Sequence, residues 1–77
     1  MTPDELVKLK QARALAASGA ARALRLATGL SQEDVAECIG TCPATISHWE
    51  HGNRRPYGVR AVRWIQLLER LAPTERQ

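Results

Sequence analysis

Apolar residues recur along most of this chain at the spacing of an α-helix, and no stretch alternates apolar and polar residues as a half-buried strand would. The longest apolar stripe predicts a helix from about Gly58 to Leu71. Its core positions follow the pattern i, i+3, i+4, i+7, i+10 and i+11: Ala61, Trp64, Ile65, Leu68, Leu71 and Ala72. Three more apolar residues fall partly outside the stripe, and we expect a two-fold dimer contact at Val59, Val62 and Leu67.

The N-terminal segment predicts a helix from about Pro3 to Ala17. Thr2 is a suitable N-cap, and Glu5 three residues later completes a capping box. The apolar stripe of this helix is thin. Two roles therefore stay open for the helix: packing on the rest of the bundle, or presenting a face to a partner subunit.

The next segment predicts a second helix from about Ala20 to Thr28, with Ser18 as its N-cap. Because a glycine inside a helix costs only about 1 kcal/mol relative to alanine, Gly19 does not force a break. One continuous helix from Pro3 to Thr28 is the alternative. We expect the apolar contacts of the second helix to come from Leu24, Leu26 and Ala27.

The stretch from Gln32 to Trp49 predicts two short helices joined by a tight turn. Ser31 can cap the first helix. Gly40 supplies the turn, because a residue past a helix end often needs a positive φ that only glycine adopts cheaply. Pro43 suits the first turn of the second helix, where its missing N–H would be unpaired anyway. Four apolar positions would attach the pair to a core: Val35, Ile39, Ile46 and Trp49.

This arrangement is a helix-turn-helix, and the segment from Leu30 to Gly52 resembles the Cro/C1 (Xre-type) family of phage and bacterial repressors. The matching residues are Leu30-Ser31-Gln32, Val35-Ala36, Ile39-Gly40, Thr45-Ile46-Ser47, Trp49-Glu50 and Gly52. A looser match runs from Ser18 to Leu71. The resemblance implies an all-α protein, a compact five-helix bundle of the lambda-repressor type with a central helix-turn-helix. The chain would then comprise an N-terminal helix at 1–17, a DNA-binding domain at 18–72 and a C-terminal tail at 73–77 that begins with Pro73.

The second helix of the motif would be the recognition helix, from about Pro43 to His51. Cys42 stands at its N-cap, where a thiol caps poorly, and Thr41 would supply the cap or bind a phosphate instead. With Ile46 and Trp49 facing inward, the row that meets the major groove is Ala44, Thr45, Ser47, His48 and His51.

This outward row has modest chemistry for reading bases. Ala44 and the methyl group of Thr45 suit a thymine methyl group, and His48 can donate to guanine N7 or O6. The row contains no Arg, Gln or Asn that would bind a base edge through two hydrogen bonds. Water-mediated and apolar contacts, or the shape of the DNA, would therefore supply the base specificity.

The resemblance implies further site residues. Gln32 matches a family glutamine that touches the DNA backbone and braces the recognition helix. An ion pair between Arg25 and Glu50 would lie behind that helix. The loop after the helix would lie along the phosphates, or place one arginine in an A·T-rich minor groove, through Asn53, Arg54 and Arg55.

The charge of the chain is consistent with a nucleic-acid partner. The chain of 77 residues carries 11 Lys and Arg against 8 Asp and Glu, a net charge of +3. Nine of the 11 basic residues are Arg, which suits phosphate and base-edge contacts better than Lys does. Between His51 and Arg70 the acidic residues are limited to Glu69. This distribution favours DNA as the partner more than the net charge does.

The sequence predicts no metal, no cofactor and no catalytic site. The spacing of Cys38, Cys42, His48 and His51 lacks the long ligand gap of zinc fingers. A Gly-rich phosphate loop and a nucleophile with an orienting base are both missing from the sequence. With no apolar run near 20 residues, we expect a cytoplasmic protein with reduced thiols, in a bacterial nucleoid or an infected host cell.

The sequence therefore predicts a DNA-binding transcriptional regulator that binds an operator as a homodimer. We expect double-stranded DNA as the partner, no membrane, and no small-molecule effector, since this length leaves no room for an effector domain. The alternative is a protein-interaction module of the same fold, such as an antirepressor or an antitoxin-like subunit.

Overall fold

The computed structural model describes residues 1–72, which form five α-helices and no strand. The helices are α1 (Pro3–Ser18), α2 (Ala20–Thr28), α3 (Gln32–Ile39), α4 (Pro43–Glu50) and α5 (Gly58–Leu71). The all-α prediction and the five-helix bundle are confirmed. The predicted C-terminal tail at 73–77, which begins with Pro73, lies outside the described part of the chain.

Gly19 separates α1 from α2, so the continuous helix is not formed. Its φ of 83° lies in the left-handed region, where a residue with a Cβ is strained. The prediction that Ser18 caps α2 is wrong, because Gly19 holds the N-cap position and Ser18 is the last residue of α1. The Ser18 hydroxyl still accepts a hydrogen bond from the N–H of Ala20, at 3.2 Å.

Helix α1 packs against α5 and runs antiparallel to it. Near one end of the pair, Lys8 Nζ lies 2.6 Å from a Glu69 carboxylate oxygen. Near the other end, Arg13 Nε donates to the carbonyl of Pro56 at 2.8 Å. The buried face of α1 consists of Leu9, Ala12 and Ala16. Packing on the bundle is thus shown, and the predicted capping box of Thr2 and Glu5 is also formed.

The core lies around α5, which packs against α1, α2 and α3. The rings of Trp49 and Trp64 join α4 to α5, with centroids 5.0 Å apart and planes tilted by 44°. Such an aromatic pair stabilises a fold by about 0.5–1.5 kcal/mol beyond the burial of its area. The largest fully buried side chains are Trp64, Ile39, Ile46, Ile65, Leu68 and Val35.

Two expectations about exposed and buried apolar residues are wrong in part, at Val62 of α5 and at Leu26 and Ala27 of α2. Val62 is 3% exposed, because α5 is covered by several helices over a wider arc than a single stripe, so Val62 has no surface to offer a second subunit. Leu67 is half-buried against the core, and Val59 is exposed. In α2, Leu26 is exposed and Ala27 is too, whereas Ala21 and Arg25 occupy the buried positions.

Candidate nucleic-acid interface

The helix-turn-helix consists of α3, a turn at Gly40 and Thr41, and α4. Gly40 has a φ of 82°, and the N–H groups of Gly40 and Thr41 both donate to the carbonyl of Ala36 at 2.9 Å. The positive φ is the reason for glycine, because an added Cβ would meet nothing closer than a guanidinium nitrogen of Arg63, at 3.8 Å. Val35, Ile39 and Ile46 are all buried and fix the two helices on the core.

A capping box begins α3. The N–H of Asp34 donates to the Ser31 hydroxyl, and the N–H of Ser31 donates to the Asp34 carboxylate, both at 3.0 Å. The backbone hydrogen bond from Ser31 lowers the pKa of Asp34. The box thus fixes the start of α3, next to Gln32.

The recognition helix α4 begins without a side-chain cap. Cys42 occupies the N-cap position, and its Sγ lies 3.3 Å from the Thr45 hydroxyl oxygen, a contact that lowers the pKa of Cys42. Thr41 does not cap the helix either. Pro43 is the first helical residue, as predicted, and the helix ends at Glu50, one residue before the predicted end.

A Schellman motif ends α4 and begins the basic loop, which we define as residues 52–57. Gly52 (φ 73°) donates its N–H to Trp49, and Asn53 donates to His48 at 2.9 Å. The N–H of Arg54 reaches the same His48 carbonyl at 3.3 Å. This turn carries the chain away from the helix with the side chains of Asn53, Arg54 and Arg55 exposed.

The surface of α4 presents the predicted row. Ala44 and His51 are exposed, and the other three members, Thr45, Ser47 and His48, are half-exposed. The opposite face is buried at Ile46, Trp49 and Glu50. The Nδ1–H of His51 donates to the Ser47 carbonyl at 2.8 Å, so neutral His51 keeps Nε2 as a hydrogen-bond acceptor.

The residues predicted to contact DNA belong to α3, the turn, α4 and the basic loop, which follow one another along the chain. Each of them is exposed or half-exposed: Gln32, Thr41, Pro43, Ala44, Thr45, Ser47, His48, His51, Asn53, Arg54 and Arg55. Their contact with DNA stays a prediction.

Behind the recognition helix, Arg25 and Glu50 form a two-point ion pair. Arg25 Nε lies 2.6 Å from Glu50 Oε2, and Nη2 donates to Oε1 at 3.0 Å. Arg25 also donates to the Leu30 carbonyl at 2.9 Å, and Gln32 Nε2 donates to Glu50 Oε1 at 3.2 Å. Arg25 is 8% exposed and Glu50 5%. The hydrogen bond to Glu50 raises the pKa of Arg25, and the cluster links α2, α3 and α4.

A groove beside Thr45 was not predicted from the sequence. It lies between α4 and the start of α5, has a volume of about 360 Å³, and contains two exposed arginines, Arg60 and Arg63. Thr45 and Glu50 point about 140° apart around α4. The groove therefore lies on the side of the recognition helix away from Gln32. The spacing of Arg60 and Arg63, three residues apart on a helix, is the signal that indicates a shared face.

Arg13 is a second residue whose place the sequence did not indicate. Its side chain lies beside the basic loop, where it shares a cleft of about 300 Å³ with Ala16, Ala17, Gly52 and Arg54. Its bond to Pro56 joins residues 43 positions apart. No periodic pattern links positions that far apart.

Residues 1–72 were also compared with what a disulfide, a metal site or a membrane-spanning helix requires. Cys38 and Cys42 are both exposed and are not bonded to each other. Across that part of the chain, no three His, Cys, Asp or Glu side chains are grouped to hold a metal ion. None of its helices has the length and apolar character needed to cross a bilayer.

Comparison with known protein families agrees with this geometry. A family described as "Helix-turn-helix domain" matches residues 16–76, which is well over half of the chain. No curated protein and no solved structure matches this chain significantly. With the two helices, the glycine turn and the exposed recognition row in place, the chain belongs to the helix-turn-helix domain family of DNA-binding proteins.

Proposed function

We propose that this protein is a sequence-specific transcriptional regulator of the Cro/C1 (Xre) type, a repressor that binds its operator as a homodimer. One observation carries the proposal. The recognition helix is held on its buried face by the Arg25–Glu50 pair and its other face is open, while the exposed Arg54 and Arg55 follow its C-terminal end, where the N–H of Arg54 donates to the His48 carbonyl.

The dimensions of the recognition helix suit a major groove. An α-helix with its side chains is about 10–12 Å across, and the major groove of B-DNA is about 12 Å wide. Gln32 flanks the helix on one side and the groove with Arg60 and Arg63 on the other. Basic and polar groups on both sides are what a protein needs to contact the two phosphate backbones that border a groove.

Dimerisation is part of the proposal because a helix-turn-helix dimer reads two half-sites about 34 Å apart. With Val62 buried, the predicted contact on α5 is reduced to Val59, which is 54% exposed, and the half-buried Leu67. The protein would act where its DNA lies, in a bacterial nucleoid or in an infected host cell.

A selection of binding sites from random duplexes tests the function. We expect an enriched inverted repeat whose half-sites are one helical turn apart. Its affinity should also exceed that for random DNA by roughly 10³-fold or more. If no sequence is enriched and the protein binds all DNA weakly, sequence-specific regulation is wrong. If a single half-site is enriched, the homodimer is wrong and base recognition stands.

His48→Ala should cost about 1–3 kcal/mol on the selected site and little on random DNA, because His48 is the member of the outward row best suited to guanine. Fluorescence anisotropy with both duplexes measures the two losses. Equal losses on both duplexes would make His48 a backbone contact. No loss of affinity on either duplex would mean that other residues of the outward row read the bases.

A protein-interaction module is the second candidate, and exposed apolar residues on α1 favour it. Leu6 is 58% exposed and Val7 56%. With Pro3 and Leu9 they line a cleft of about 520 Å³ on the side of α1 that the bundle leaves open. An antirepressor or an antitoxin-like subunit would use such a face, and it would not need the arginines of the basic loop.

A further inference from the structure

We propose that Arg13 is a positioning residue for DNA binding, which holds the basic loop in place from helix α1. This inference rests on the proposed function, since it assigns the loop's arginines to phosphates. Arg13 itself would touch protein rather than DNA.

The basic loop is held unevenly along its length. Its first half is fixed by the Schellman motif, in which Gly52, Asn53 and Arg54 all donate to carbonyls of α4. In its second half, Arg55 and Tyr57 donate to no backbone carbonyl of the described chain, and Pro56 has no N–H to donate. The second half therefore depends on contacts from outside the loop.

Arg13 supplies such a contact. Its Nε donates to the carbonyl of Pro56 at 2.8 Å, and the Pro56 ring is buried. Ala16 and Ala17, one turn further along α1, face the same cleft as Gly52, Arg54 and Arg55. The hydrogen bond comes from a charged donor, which makes it stronger than one between neutral groups. Helix α1 thus holds the chain at the residue directly after the two arginines.

Arg13 stands outside the part of the chain that the helix-turn-helix family covers. That match begins at residue 16, so most of α1 is an addition to the domain. The addition packs along α5 and reaches the basic loop at its C-terminal end. The extra helix then has a function. It limits the motion of Arg54 and Arg55 in the free protein, so these side chains lose less conformational freedom when DNA binds.

The test compares Arg13→Ala with Lys8→Ala. Both variants remove one positive charge and one contact of α1 with the α5 side of the bundle, but Lys8 acts at the end remote from the basic loop. We expect Arg13→Ala to weaken binding to a random duplex roughly tenfold, because the two loop arginines must then lose more conformational freedom when they bind. Lys8→Ala should change it less than about twofold.

A double-mutant cycle separates positioning from direct contact. If Arg13 acts through the loop, adding Arg13→Ala to Arg54→Ala with Arg55→Ala should change affinity little, because the side chains to be positioned are gone. Hydrogen exchange of the free protein gives a reading without DNA. The amide of Arg54, which donates to the His48 carbonyl next to the second half of the loop, should exchange faster in Arg13→Ala than in Lys8→Ala, while the core amides of α5 stay equally protected.

Each other outcome overturns the proposal. A tenfold loss that persists in the Arg54–Arg55 background would make Arg13 a direct DNA contact. Equal losses in Arg13→Ala and Lys8→Ala would assign the effect to charge or to helix packing. No loss of affinity together with unchanged exchange would leave Arg13 without a positioning role. If the wild-type protein binds no duplex at all, the proposed function fails instead, and the exchange experiment still tests whether Arg13 holds the loop.

Discussion

Glu50→Ala should lower the free energy of unfolding by about 3–5 kcal/mol, the usual cost of removing one partner from a buried ion pair. The loss leaves the Arg25 guanidinium unpaired at 8% exposure, and Gln32 loses its acceptor. The total free energy of unfolding of a small domain is about 5–15 kcal/mol, so the variant would be close to unfolding. Urea titration followed by the fluorescence of Trp49 and Trp64, both buried, measures the change.

Glu69→Ala is the matched control, since it also removes a glutamate from an ion pair. The Lys8–Glu69 pair is exposed, with 35% and 42% of the two side chains accessible, and exposed pairs contribute about 0–1 kcal/mol. Replacing both buried partners, by Arg25→Met with Glu50→Leu, should recover part of the stability lost in Glu50→Ala. Equal effects of Glu50→Ala and Glu69→Ala would mean that the buried cluster does not stabilise the fold.

The elements of the fold were predictable because their signals are local. The stripe of α5, the capping box at Thr2, the N-cap at Ser31 and the glycine turn at Gly40 are each signalled by residues close together in the sequence. The break between α1 and α2 was predicted at the observed place, but the cost of a glycine in a helix is too small to have excluded one continuous helix from the sequence alone. The φ of Gly19 is set by how α1 and α2 pack in the bundle, which depends on residues distant in the sequence.

Contacts between distant residues divide into two kinds. The Arg25–Glu50 pair was expected only because the chain resembles a family that has one, and no periodicity in the sequence would have paired these positions. The hydrogen bond between Arg13 and Pro56 was not expected, because the family resemblance did not imply it. The burial of Val62 was also hidden, because an apolar stripe shows which face of α5 is buried but not how many helices cover it.

Arg54→Glu with Arg55→Glu should abolish binding to any duplex near physiological salt. Each phosphate contact removed lowers the slope of log affinity against log salt by about 0.9. If the affinity at 1 M salt is unchanged, the loss of two contacts lowers the affinity at 0.1 M roughly 60-fold. The two added carboxylates also repel the DNA backbone. Because both side chains are exposed, the free energy of unfolding should change by less than about 1 kcal/mol. Anisotropy at several salt concentrations, with a random duplex, measures the affinity and the slope.

Lys10→Glu with Arg22→Glu is the matched control for that experiment, because it changes the net charge equally at exposed sites on α1 and α2. If the control keeps most of the binding and the loop variant loses it, the phosphates lie along the basic loop and a purely protein-binding role is excluded. Equal losses would mean that overall charge holds DNA to the protein. An unaffected loop variant would turn attention to the apolar face of α1, where Leu6 and Val7 would then be the surface through which this fold acts on a protein partner.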